Sequence, residues 1–285
     1  MLIPPFAETA KPGSIRTPRV LAAPQVSVPA TQTLNLDPSR YRNGTALPIF
    51  IERIAFASGA TGEAARVQLY IDIDLLGVAK ITNNPMPATM LPYYRTIGNN
   101  LTSFWELKRP FALMPGQGLS VKLTNIASSA ATRSTVSFLG YSESRPAEIK
   151  EIYLPHCISA AAIVAASTVA DVPDEALRNV GEHRFFANFF AYYPVGSSSF
   201  ALDSASLVRL RGSAASPDIM LVRVDSRALR TEFQTTITGG LPLSGELEVE
   251  PEGTVSIEVE SSSSGETRHD VGLLGYKIMP LKKAA

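Results

Sequence analysis

Thr132-Arg133-Ser134-Thr135-Val136-Ser137-Phe138-Leu139-Gly140-Tyr141 returns 135 residues later as Thr267-Arg268-His269-Asp270-Val271-Gly272-Leu273-Leu274-Gly275-Tyr276, with six of the ten positions identical. Just upstream, Pro115-Gly116-Gln117-Gly118-Leu119-Ser120-Val121-Lys122-Leu123 lines up without a gap on Pro251-Glu252-Gly253-Thr254-Val255-Ser256-Ile257-Glu258-Val259, at an offset of 136. Phe111 and Leu113 fall on Leu247 and Val249, and Ile49–Ala57 falls on Phe185–Tyr193, at that same offset. A chain that repeats itself over half its length is a tandem of two similar domains. The repeated unit is a Pro-Gly or Pro-Glu-Gly turn, a strand with alternating apolar residues, a Ser-rich polar loop and a closing Leu-Gly-Tyr strand.

Outward from the repeat, Ile49–Phe56, Ala65–Asp74, Leu119–Thr124 and Thr135–Tyr141 read as strands from their β-branched content and period-two alternation. Leu69, Ile71 and Ile73 share one face, and Gln68, Tyr70, Asp72 and Asp74 the other. Short strands at regular intervals argue for β-sandwiches of the jelly-roll kind rather than a parallel α/β sheet. The reading is therefore all-β, with two tandem jelly-roll-like sandwiches: an extended Pro-rich N-terminal arm over 1–45, a first sandwich over 46–146, a connector over 147–183 and a second sandwich over 184–285. Seven of the 21 prolines lie in the arm, whose apolar residues (Ile3, Phe6, Val20, Leu21, Val26) suit a segment that lies along another surface. Helix is expected only in the connector, at Ile158–Ala166 and Asp174–Asn179.

The 285 residues carry 26 basic and 26 acidic side chains, so no whole-chain field draws nucleic acid or an anionic membrane. No apolar run reaches the roughly 18–20 residues of a spanning helix. Met1–Gly13 shows no signal-peptide pattern, which places synthesis in a reducing cytoplasm. Cys157 is the sole cysteine, so disulfides within the chain and multi-thiolate zinc sites are excluded. His156, His183 and His269 lack metal-pair spacing. Asp72 and Asp74 alternate on one strand, about 7 Å apart, which suits a cation or a carboxylate pair as well as a wet strand face. Nucleophile elbows, phosphate loops and dinucleotide fingerprints are absent. No cofactor and no catalysis are expected.

Charge patterning says more. Glu246, Glu248 and Glu250 form an acidic stripe on one strand face, while Arg209, Arg211, Arg223, Arg227 and Arg230 dominate the sequence before it. The basic set answers the stripe either within the domain or from a neighbouring copy. Arg16, Arg19, Arg40 and Arg42 of the arm, Arg209, Arg211, the three glutamates and Trp105 are the candidate contact residues. Trp105, with Phe104, Pro110, Phe111 and Tyr93-Tyr94, fits a buried plug or interface, or an aromatic sugar platform.

The Pro-rich arm ahead of compact sandwiches, with Trp105-Glu106-Leu107 to Pro110-Phe111 and the Pro115–Val121 turn and strand, resembles structural proteins of tailed bacteriophage heads, of the minor capsid, cement or decoration type. That resemblance implies a virion protein without catalysis, a trimer or other symmetric assembly, and an arm that clamps subunits of a major capsid protein. The internal repeat also resembles the double jelly-roll major capsid proteins of tailless phages. A carbohydrate- or receptor-binding module of a virion is the third reading.

Overall fold

The structure, a computed structural model, describes residues 11–60, 69–97, 100–126, 132–196, 206–215, 217, 219–220, 224–225, 232–233, 236–238, 240–261 and 266–281. The first half supplies β1 (Arg16–Ala22), β2 (Val26–Val28), β3 (Thr33–Asn35), β4 (Ile49–Ala60), β5 (Leu69–Leu75), β6 (Ala79–Lys80), β7 (Met86–Pro87), β8 (Tyr93–Ile97), β9 (Asn100–Leu113), β10 (Leu119–Asn125) and β11 (Thr132–Glu143). The second supplies β12 (Glu151–Val164), β13 (Val169–Asp171), β14 (Phe185–Gly196), β15 (Ser206–Ser213), β16 (Val224–Asp225), β17 (Glu232–Phe233), β18 (Thr236–Thr238), β19 (Gly240–Val249), β20 (Val255–Ser261) and β21 (Thr267–Pro280).

Each half is two facing antiparallel sheets, and the strand order is the same in both. β1-β11-β4-β9 faces β3-β10-β5-β6 in the first, and β12-β21-β14-β19 faces β13-β20-β15-β16 in the second. The first sheet continues past β9 through β8 to β18 and β17, so a short hairpin from the second half completes a sheet of the first. Alternation places the core as the sequence pattern requires: Leu69, Ile71, Ile73 and Leu75 are buried along β5, on the same sheet face as Leu119, Val121 and Leu123 of the neighbouring β10. Val255, Ile257 and Val259 do the same in the second half.

The repeat reaches into backbone detail. In β4 the ladder slips at Glu52, and in β14 it slips at the equivalent Asn188, each a β-bulge. Opposite those bulges stand Gly140 and Gly275. A Cβ at either would collide with the carbonyl oxygen of Phe50 or Phe186, so the Leu-Gly-Tyr signature keeps glycine because a backbone passes where a side chain would stand.

Two expectations are corrected. Residues 11–45 are not a free arm. β1 and β2 pair with β11, β3 pairs with β10, and Tyr41 is wholly buried with its hydroxyl donating to the Val136 carbonyl at 3.0 Å. The surface they lie along is their own sandwich, and the prolines are tolerated because β1 is an edge; residues 1–10 lie outside the described residues. The stretch 147–183 is likewise no connector but β12, β13 and one 3-10 turn at Asp174–Leu177. Ile158–Ala166, expected as helix from its alanines, lies largely in β12, which is in register with β21 over its whole length, and that ladder overrides the weak local preference.

Candidate functional site

The two sandwiches meet along an apolar seam built from the stretch between β5 and β8. Residues 81–90 stay tied to the first sandwich, with the Ile81 and Thr82 amides donating to the Ile73 carbonyl and Met86–Pro87 pairing with β5, while their other side packs on the outer face of β12-β21-β14. The Cys157 amide donates to the Ile81 carbonyl at 2.8 Å, and the Asn83 amide returns to the Cys157 carbonyl at 2.8 Å, so Ile81–Asn83 run beside β12 as an added edge. The Met86 sulfur sits 3.2 Å from the Cys157 sulfur. Met90 fills the space that the absent side chain of Gly272 leaves. Cys157, Leu274, Phe189 and Ala191 of the second half are buried in one continuous cluster with Ile81, Met86, Met90 and Trp105 of the first. At about 25 cal/mol per Å² of apolar surface, such a seam makes the halves one body.

Polar pins flank it. The Asn84 amide donates to the carbonyls of Ser159 at 2.9 Å and Ala176 at 3.2 Å, and Asn83 donates to that of Arg178 at 2.8 Å. Arg268 bonds the Tyr70 hydroxyl across the seam and holds Asp270 at 3.0 Å. Asp270 is buried, and that burial raises its pKa although Arg268 opposes the shift. Tyr70, Asn84, Ser159 and Asp270 line a cleft of about 220 Å³. At the other end the Arg109 guanidinium lies over Tyr153 and Tyr276, at 4.5 and 5.7 Å.

Among the described residues, Lys108 and Arg184 answer the acidic stripe inside the chain, and Arg209 and Arg211 bond elsewhere. Lys108 of β9 reaches Glu246 at 2.8 Å, across the seam, and Tyr276 donates to the same carboxylate at 2.8 Å. Burial works to raise the Glu246 pKa, but those two hydrogen bonds outweigh it and hold the group below its ordinary value. Burial and the Glu246 carboxylate together push Tyr276 up to about 12. Arg184 pairs with both Glu248 at 2.9 Å and Glu250 at 3.0 Å. Arg211 instead pairs with Glu258, and Arg209 donates to the Met220 carbonyl at 2.9 Å. Arg223, Arg227 and Arg230 lie outside the described residues.

Of the other candidates, Arg16 pairs with the buried Glu143 at 3.0 Å and lies 4.3 Å over the Tyr141 ring. Arg19 donates to Ser142 at 3.0 Å, Arg42 to the Gly116 carbonyl at 3.1 Å, and Arg40 stands 3.9 Å from Asp37. Trp105 is 3% exposed, which removes it as a sugar platform and places it in the seam. Asp72 accepts from Thr82 at 2.7 Å and faces Lys122 at 3.7 Å, an ordinary wet-face arrangement.

Burial depresses His156 to about 3, with Lys277 adding to the shift, and depresses His269 to about 4. Burial pushes the Cys157 thiol up and keeps it protonated. Among the described residues no group of three or more His, Cys, Asp or Glu side chains gathers to hold a metal, and no helix is long and apolar enough to cross a membrane. The sequence reading missed the seam because Thr82-Asn83-Asn84-Pro85-Met86-Pro87 reads as a loop. Only its Met and Pro content hinted that it lies against something apolar.

Two equivalent eight-strand units with the same strand order decide the architecture. The fold is a double jelly roll. No protein-family model and no curated protein matches the sequence. Solved structures match in shape: a chain of the atomic structure of Sulfolobus turreted icosahedral virus is 10% identical, with 94% of this chain and 92% of that one covered at a TM-score of 0.50. The crystal structure of the STIV MCP is 10% identical over 93% of this chain and 97% of its own, at 0.48. The major capsid protein P2 of bacteriophage PM2 is 9% identical over 92% and 98%, at 0.41. At such identities the likeness concerns the fold.

Proposed function

We propose that this chain is a structural protein of a virion, a double jelly-roll shell subunit that works by adhesion and not by reaction. The observation that carries the reading is the joined pair of jelly rolls, matched nearly end to end by a chain of a virus structure. The apolar seam supports it: a subunit that bears load in a shell needs its two halves to act as one body, and the continuous cluster from Trp105 to Phe189 supplies that.

Between the two virion roles, the major shell subunit is favoured over a cement or decoration protein. A decoration protein held by its arm needs that arm free, and residues 16–35 are committed to β1, β2 and β3. The partners are then other copies of this chain, in a trimer or another symmetric assembly, rather than a separate shell protein underneath. Gel stoichiometry of the native particle tests this. The expected result is a 30.6 kDa band that is the most abundant protein of the particle. A band present in a fraction of the copies of another shell protein returns the decoration reading, and absence from the particle removes both.

A further inference from the structure

Asp270 stands where the jelly-roll fold asks for no charge. Along β21, Val271 and Leu273 point into the core of the second jelly roll, so Arg268, Asp270 and Gly272 face the other way. That way lies the first half, where Arg268 bonds Tyr70 and Gly272 meets Met90. The Asp270 side chain is buried, at 1% exposure for the residue. Its Oδ1 accepts from Arg268 at 3.0 Å, while Oδ2 finds no hydrogen-bond partner among the described residues. The duplication supplies a comparison. At the offset of 135 the same place in the first half belongs to Thr135, whose hydroxyl donates to the Ala23 carbonyl at 2.8 Å. A neutral, satisfied side chain serves the fold there, so a half-satisfied carboxylate in the second half calls for a reason other than folding.

The carboxylate borders the cleft of about 220 Å³ between the halves. Ala161, opposite Asp270 in the β12–β21 ladder, lines one wall with Ala176; Tyr70, Pro85 and Pro87 of the first half line the other. Asn84 spends its side-chain N–H groups on the Ser159 and Ala176 carbonyls, and its side-chain oxygen takes no partner among the described residues. The Ser159 hydroxyl donates to the Asn84 carbonyl at 3.4 Å, and the Tyr70 hydroxyl accepts from Arg268. What the cleft offers is therefore two accepting oxygens, one of them anionic, between apolar walls, with the arginine already turned to Oδ1 and Tyr70. We propose that the cleft binds a small primary alkylammonium ion, its ammonium group on Asp270 Oδ2 and the Asn84 side-chain oxygen and its carbon chain along Pro85, Pro87 and Ala161. An ammonium carries three donors and no acceptor, which this lining matches. A calcium or magnesium ion wants about six oxygens and meets a single carboxylate here, and an anion would face that carboxylate. The volume is below that of a drug-sized pocket, so the ligand is short. Held by Asp270 of one half and Asn84 of the other, it clips the two jelly rolls together, whatever the particle the chain belongs to.

The test titrates the full chain with n-butylammonium chloride at pH 8, well below the ordinary amine value of about 10.4. A dissociation constant of about 1 mM is expected for so small a ligand. At ten times that concentration the thermal midpoint should rise by about 2–4 °C. In protein with isotope-labelled alanine methyls, the resonances of Ala161 and Ala176 should move, and that of Ala112, packed with Phe50 and Tyr141, should not. 1-Butanol, with the same chain and no charge, and butyrate, with the opposite charge, should each bind at least about tenfold more weakly. Asp270→Asn, which keeps an oxygen for Arg268, should weaken butylammonium binding by about tenfold or more. Ala161→Phe, which fills the cleft from an exposed position, should do the same and carries the test if the first variant fails to fold. Glu182→Gln, at an exposed carboxylate elsewhere, should change nothing. No saturation by about 20 mM, butanol or butyrate binding as well as butylammonium, affinity indifferent to a folded Asp270→Asn or Ala161→Phe, or alanine shifts away from the cleft would each overturn the proposal.

Discussion

The side-chain amides of Asn43 and Asn179, 136 residues apart, clamp the same turn in the two jelly rolls. Asn43 donates to the carbonyls of Leu47 and Leu113, both at 2.9 Å; Asn179 donates to those of the equivalent His183 and Val249, both at 3.0 Å, and to Glu250 at 3.0 Å. Their own backbones complete the match, exchanging hydrogen bonds with Gln117 and Gly116 in one half and with Gly253 and Glu252 in the other. Each asparagine thereby ties the entry of β4 or β14 to the β9–β10 or β19–β20 turn.

Both side chains are buried, so truncation strands carbonyls that have no water to turn to. Asn43→Ala and Asn179→Ala are each expected to cost about 2–3 kcal/mol. A lowered urea midpoint at unchanged m-value checks it. Asn43 also accepts from the Thr45 amide at 3.0 Å and hydroxyl at 2.7 Å, whereas the Asn179 oxygen finds no partner among the described residues, so the first variant should be the worse of the two.

The Leu-Gly-Tyr signature makes a sharper prediction. Gly140→Ala and Gly275→Ala place a methyl against the carbonyl of Phe50 or Phe186, in the middle of a sheet that cannot give way. The expected loss is about 4 kcal/mol or more in each case, by the backbone shift that overpacking forces. Gly44→Ala, with open space around its Cβ position, should fall within about 0.5 kcal/mol of wild type. Thermal melts of the three variants compare them directly.

Those glycines also mark what was legible in the sequence. The repeat of Thr132–Tyr141 carried the duplication, the alternation of Leu69 to Ile73 and Leu119 to Leu123 carried the core, and both follow from local rules. The N-terminal stretch was misread because proline density says only that a segment is extended, not which surface it lies on; the pairing of Val20 with Leu139 is a contact 119 residues long in sequence. β12 was misread because Ala160-Ala161-Ala162 favours helix weakly, and its ladder to β21 is non-local. The seam had no periodic signal at all. Deleting residues 1–35 should therefore abolish folding rather than merely detach an arm, since it removes β1, β2 and β3.

Acid should destabilise the protein through its two buried imidazoles. His156 stacks edge-on to Phe185 beneath the Lys80 carbonyl, and His269 shares a 2.7 Å hydrogen bond with Tyr192. Their folded values of about 3 and about 4 lie below the ordinary 6.5, so the unfolded chain binds protons first as pH falls. Stability present above pH 6.5 is lost on descent, by about 2 kcal/mol per imidazole at pH 5. The raised value of Asp270 works in the opposite sense and blunts the loss at lower pH. Urea midpoints at pH 7 and pH 5 should differ accordingly, and His269→Gln should roughly halve the difference even if it weakens the protein at pH 7.

Cys157 gives a probe of whether the halves ever part. It is wholly buried where Ile81–Asn83 run beside β12, and burial holds its thiol protonated, so the folded protein should resist a thiol reagent. If the seam opened before either jelly roll unfolded, labelling would run ahead of the loss of β structure as urea is raised. The core cluster that includes Cys157 spans both halves, which couples seam opening to the unfolding of the first jelly roll. Labelling and circular dichroism are therefore expected to trace one coincident transition, and an earlier labelling transition would mean that the two halves are joined less tightly than their shared core requires.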